Sequence, residues 1–156
     1  MTASKDSAAR APTPPPATSS TPPAGTPPAA APVARSAEDE LTAQAAADRP
    51  AAESLVGSWV PQLSSKSVGL TVSSVTFDDT AILADFQSLQ TRYPNSLLVR
   101  SDDYRSFTRP GFWVTLVATP FDTADAWCAQ QGFAQQDCYA KRLSHVDGPA
   151  GNTKPR

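Results

Sequence analysis

The residues of this chain with obvious chemistry are two cysteines, Cys128 and Cys138, one histidine, His145, and two aspartate pairs, Asp78-Asp79 and Asp102-Asp103. Two thiols in a Cys-x9-Cys spacing can form a disulfide, stay reduced and buried, or carry redox or metal chemistry. The last option lacks the Cys-x-x-Cys spacing and the cationic neighbours that activate a thiol. Zinc would find at most three ligands in Cys128, Cys138 and His145, one short of a closed structural site. A Ser-His-Asp triad needs a positioned imidazole, and His145 lies in SHVDGPAG, a polar stretch expected to be loose. The aspartate pairs raise glycoside hydrolysis, yet both sit where turns and helix caps favour Asp for backbone reasons. The expectation is a protein without catalytic residues, metal or cofactor, whose cysteines form a structural Cys128–Cys138 disulfide.

The elements that would position these residues follow from pattern. Phe112 to Leu143 reads as strand, helix and strand: FWVTLVA is the most apolar of the strands, Phe121-Asp122 opens the helix with Asp122 as cap, and Gly132 ends it. Asp137 to Leu143 is the last strand. Upstream, Ser58 to Ser64 is a first strand, and a turn-rich stretch follows. Asp79 then caps a helix in which Ile82, Phe86, Leu89 and Tyr93 form one apolar stripe. Pro94 ends that helix, and Leu97 to Arg100 is the second strand. The order predicts an α+β fold, βαββαβ, with a four-stranded antiparallel sheet, two helices on one face and the other face open.

Alternation then assigns side chains to faces. If Cys138 reaches Cys128 on the second helix, it faces the helices, and Tyr139 and Lys141 face the open side. Phe112, Val114 and Leu116 suit the core, which sends Trp113 and Thr115 to the open face. Trp59 and Leu63 suit the core of the first strand, which leaves Val60, Gln62 and Ser64 outside. Pro61 removes a ladder donor and predicts a bulge in that strand.

Composition divides the chain. Ten of its sixteen prolines lie within residues 1–54, where the only large apolar side chains are Met1, Val33 and Leu41. Such a segment cannot bury enough surface to offset the entropy of ordering it. It is expected to be a disordered Pro/Ala/Thr-rich linker of extended polyproline character, with a short helix near 37–47 that starts at Ser36 and ends at Pro50. Residues 55–146 form the expected domain, and 147–156 a flexible tail. From Leu55 onward nine Lys and Arg face nine Asp, so no basic block marks a nucleic-acid partner. No run of 18 apolar residues marks a membrane span. MTASKDSAAR has no apolar signal region. A disulfide implies an oxidising compartment, so the domain is expected outside a membrane if a membrane segment lies upstream in a longer chain, and in the cytoplasm otherwise.

The strand–helix–strand pair, QLSS after Trp59-Val60, the junction FWVTLVATPFDTADAW and the strand YAKRL together resemble the SPOR or SPOR-like domains over roughly Ser58 to Ser144. The resemblance implies binding of septal peptidoglycan, in particular glycan strands stripped of peptide, on the exposed sheet face. It carries a binding role to Gln62 and Ser65 at the end of the first strand, to Trp113 on the third and to Tyr139 on the fourth; Thr115 and Lys141 join them by alternation. Aromatic rings would pack on sugar C–H faces while Gln, Ser and Thr bond the hydroxyls. C-terminal ectodomains of similar look follow Pro-rich linkers on actinobacterial membrane Ser/Thr kinases. This implies the alternative of a sensor or adaptor that binds an envelope protein. An RNA-binding βαββαβ domain would need a basic, aromatic third strand, which RPGFWVTLVA echoes only in part.

Overall fold

The computed structural model describes residues 11–18, 24–25, 33–119 and 124–154. The chain divides into two units, Met1–Val33 and Ala34–Arg156. In the first, residues 11–18 and 24–25 are exposed and carry no regular secondary structure. The rest of the Pro-rich stretch, and the expected helix start at Phe121-Asp122, lie outside the described residues.

The second unit begins well before residue 55. Helix α1 spans Ala37–Glu53 and opens with a capping box: Ser36 Oγ accepts from the Asp39 amide, and Asp39 accepts from the Ser36 amide. The helix runs through Pro50, which corrects both the linker boundary at 54 and the stop at Pro50. The expectation weighed large apolar residues, and α1 docks with few. Leu41 and Ala52 are fully buried, and the Asp48 carboxylate accepts a 2.8 Å hydrogen bond from the backbone amide of Leu98. Leu98 belongs to an edge strand, so α1 supplies an acceptor to a ladder group that no strand pairs.

Among the described residues the domain is α+β, with three α-helices, a five-stranded antiparallel sheet and a two-stranded hairpin. After α1 come β1 (Trp59–Lys66), the hairpin strands β2 (Thr71–Val72) and β3 (Val75–Thr76), α2 (Asp79–Arg92), β4 (Ser96–Arg100), β5 (Trp113–Val117), α3 (Ala124–Gln130), β6 (Tyr139–Arg142) and β7 (Thr153–Lys154). The main sheet has the order β4-β5-β1-β6-β7. The cap of α2 is Asp78, whose side chain accepts from the Ala81 amide, rather than Asp79. The segment expected to be a loose tail instead pairs β7 with β6, and Asn152 is fully buried with its side chain on Arg142 and the Gly148 carbonyl.

One sheet face is covered by helices. Leu41 of α1 and Ile82 and Phe86 of α2 pack with Leu98 and Trp113. Beside them Trp127 and Cys128 of α3 pack with Leu63, Val117, Tyr93 and Cys138. Cys128 and Cys138 form a disulfide and are both fully buried. The opposite face is not open along its length. Val60, Leu97, Val99, Val114 and Leu116 carry a second cluster, roofed by Ala52, Tyr104 and Leu143. The connection from β4 to β5 folds over that face. It is closed at its neck by paired bonds between Ser101 and Phe112, each 2.9 Å.

Candidate functional site

The uncovered end of this second face gathers four of the side chains singled out from sequence. Gln62 of β1 lies opposite Tyr139 of β6, and Val60 opposite Lys141, so Gln62, Tyr139 and Lys141 share a face. This is the orientation expected once Cys138 turns toward the helices. Ser65 joins them because β1 is irregular. Gln62 pairs with Leu116 of β5, but Ser64 pairs with Thr115, so Leu63 is an inserted residue. The bulge falls two residues after Pro61. It puts Ser65 on the face of Gln62 and turns Ser64 to the helical face, where Ser64 donates to Asp85 at 2.6 Å. A regular strand would have done the reverse, which is why alternation alone placed Ser64 outside.

These residues line a cavity of ≈ 460 Å³. Its walls include Phe112 and Phe107 from the β4–β5 connection, and Arg109 and Thr108 stand at its exposed rim. A second hollow of ≈ 530 Å³, beside the β1 bulge and the hairpin residue Val72, shares Gln62, Ser65 and Tyr139 with the first. The shared residues therefore sit between two adjoining concavities.

The polar groups at the floor are unusual for their burial. Gln62 is only 4 % exposed. Its Nε2 donates to the Tyr139 hydroxyl at 2.6 Å, while its Oε1 is buried with no hydrogen-bond partner. With the amide turned over, the hydroxyl would donate to Oε1 and the amide NH2 would be left instead. Either way one polar group of this side chain is unmatched, a costly arrangement unless something else supplies the bond. Burial pushes the Tyr139 phenol above its ordinary value, opposed by the bond to Gln62. Lys141 is 3 % exposed; its Nζ donates to Thr153 Oγ1 at 2.7 Å and lies 5.1 Å from the centre of the Phe107 ring. Burial holds its ammonium below the usual lysine range.

Trp113 and Thr115 do not belong to this site. Trp113 pairs with Arg100 and Lys66, and Thr115 with Leu98 and Ser64, all on the helical face. Trp113 is buried against α1 and α2, with the Arg100 guanidinium 4.3 Å from its ring centre. The expectation failed because β5 is apolar on both sides: every residue from Trp113 to Val117 is buried. Alternation tells the two sets apart but not which set faces the helices. The aromatic that reaches the cavity is Phe112, which the same reasoning had assigned to the core. Phe107 and Thr153 were also missed. The FxxxxF spacing of Phe107 and Phe112 was a usable signal; nothing in the sequence pointed to Thr153.

The other groups with possible chemistry have structural partners. Asp102 accepts from the Gly111 amide at 2.9 Å and approaches Arg100 at 3.5 Å, so it braces the β4–β5 connection. His145 is not loose: it stacks on Tyr104, 5.0 Å between centres, and contacts Glu53 at 2.8 Å and the Asp103 carbonyl at 3.0 Å. The bond to Glu53 raises the His145 pKa, and the same bond lowers that of Glu53. Tyr104 donates to the other Glu53 oxygen at 3.0 Å; burial, and then that carboxylate, raise its pKa. Among the described residues no three His, Cys, Asp or Glu side chains are grouped to hold a metal, and no helix is long and apolar enough to cross a membrane. Comparison of the chain with protein-family models, with curated proteins and with solved structures returns no match.

Proposed function

We propose that the chain is a non-enzymatic, SPOR-like saccharide-binding or sensory domain at the cell envelope, whose ligand is the glycan strand of peptidoglycan. In this reading β1-α2-β4 and β5-α3-β6 are the two halves of a βαββαβ core, to which α1, the β2–β3 hairpin and β7 are additions. The strand order β4-β5-β1-β6 within the sheet supports this reading.

The observation that carries the reading is the grouping of Gln62, Ser65 and Tyr139 at two adjoining concavities, with one polar group of Gln62 buried and unmatched. An extended polymer suits a site that continues from one hollow into the next. Phe112, Phe107 and Tyr139 offer ring surface for sugar C–H faces, and Ser65, Thr108 and Gln62 offer hydroxyl and amide groups. The aromatic role expected of Trp113 passes to Phe112 in this reading.

The test is a pull-down of the purified chain on peptidoglycan sacculi, with Gln62→Ala and Tyr139→Ala compared against Trp113→Phe. Loss of retention in the first two alone supports the groove; no retention of the wild type sinks the glycan reading. The alternative, a sensor or adaptor for an envelope protein, is favoured by one feature. Val68, Val72 and Val75 on and beside the hairpin are 60 %, 44 % and 54 % exposed, next to the second hollow. Val68→Asp with Val75→Asp, at exposed positions that line neither hollow, would then abolish co-purification of an envelope protein while leaving sacculus retention unaltered.

A further inference from the structure

Among the described residues no carboxylate lies within ion-pair distance of the buried Lys141 ammonium. Among the described residues the ion pairs are Arg100 with Asp102 and Glu53 with His145; Lys141 has neither a carboxylate nor a second hydrogen-bond acceptor. Its recorded contacts are one hydroxyl, that of Thr153, and the face of one ring, that of Phe107. An ammonium has three N–H donors, and a charge at 3 % exposure without a counter-charge is an expensive arrangement in the free protein. The unmatched polar group of Gln62, across the β1–β6 pair from the same strand, is a second unfilled requirement at the same cavity. Both are met at once by a ligand that brings an anionic oxygen to Lys141 and a hydroxyl to Gln62.

The charge count selects among anions. A single buried ammonium balances a monoanion, and its remaining donors suit the two oxygens of a carboxylate. A phosphate dianion would need more cationic charge at the floor of the cavity than Lys141 supplies; Arg109 stands exposed at the rim. The ring surfaces of Phe107, Phe112 and Tyr139 beside these polar groups fit a sugar rather than a small inorganic ion. We propose that the cavity seats a carboxylate-bearing saccharide unit, with the carboxylate on Lys141 Nζ, Thr153 holding that nitrogen in place, and Gln62 bonding a sugar hydroxyl. This rests on the saccharide reading above and adds to it a charged subsite and the residue that defines it.

The experiment uses the full chain and titration calorimetry with soluble peptidoglycan glycan strands freed of peptide. One sample keeps the lactyl carboxylates and the other has them converted to methylamides; inorganic phosphate serves as competitor. The expected result is affinity roughly tenfold or more higher for the free-acid strands, the scale of a hydrogen bond to a charged group. Lys141→Met should abolish the preference and Lys141→Arg should retain part of it, each at unchanged helix content by circular dichroism. Equal binding of acid and amide strands by the wild type overturns the charged subsite and leaves the groove reading standing. Binding of neither overturns both. A preference that survives Lys141→Met overturns the assignment to that residue, and displacement by phosphate at equal molarity overturns the choice of a sugar carboxylate. The acid-against-amide comparison needs no variant, so a poorly folding substitution does not obscure the outcome.

Discussion

Reducing the Cys128–Cys138 bond should destabilise the domain by an amount that follows from the short loop it closes. The two positions are ten apart. The chain-entropy relation for a loop of that length gives about 2.7 kcal/mol at room temperature. The folded unit, Ala34–Arg156, unfolds with roughly 2.1 cal/mol/K per residue, so the melting temperature should fall by about 10 °C. Both sulfurs are fully buried, so reduction has to be done in denaturant, with thiol titration confirming two free cysteines before refolding. Thermal melts followed by circular dichroism then compare the oxidised and reduced forms at equal concentration. The site itself should persist in the reduced form. The orientation of Tyr139 is held by its pairing with Gln62 on β1, and the same register keeps Val60 opposite Lys141. A fall of less than about 3 °C with both thiols titrated would refute the loop-entropy argument. Loss of glycan retention in reduced, folded protein would refute the claim that β1 rather than the disulfide orients Tyr139.

Trp113→Ala should cost about 3–5 kcal/mol in denaturant unfolding, as a large aromatic removed from a packed core does; a change under about 1 kcal/mol would mean the ring is exposed after all. Asp48→Ala should cost about 1–3 kcal/mol, because it leaves the Leu98 amide without its acceptor, and hydrogen exchange at Leu98 should accelerate selectively. The Glu53–His145 contact should be pH-dependent in both directions. His145 is raised from its ordinary 6.5, so its contribution is complete below that value and lost as pH rises through the raised pKa. Glu53 is lowered from 4.5, so its contribution is complete above that value and lost as pH falls through the lowered pKa. The melting-temperature difference between wild type and His145→Gln should therefore be largest between pH 4.5 and 6.5 and shrink on either side. A difference that grows above pH 8 would contradict the pairing.

Much of the candidate site was legible because it lies where pattern is informative. Cys138 directly precedes Tyr139, the first residue of β6, so a bond from Cys138 to the α3 side leaves Tyr139 and Lys141 no choice but the opposite face. The apolar stripe of α2 was equally plain, and its Ile82 and Phe86 are buried against the sheet. Helix α1 was underestimated because its docking rests on alanine contacts and a single carboxylate-to-backbone bond, neither of which leaves a hydrophobic period in the sequence. Strand β7 is not legible in the sequence, because two residues of strand carry no periodicity at all.

The sequence by itself determined which residues alternate together, the order of β1, α2, β4, β5, α3 and β6 along the chain, and that Cys138 and Tyr139 must part company across the sheet. These are local consequences of strand and helix geometry. Only the tertiary structure decided which side of β5 meets the helices, since a strand buried on both faces has two equally apolar sides. Strand pairing settled it: the Gln62–Leu116 register turns Trp113 and Thr115 to the helices and leaves Phe112 on the cavity side, while the one-residue bulge at Leu63 brings Ser65 there. Register is a property of two strands together, and no single strand records it.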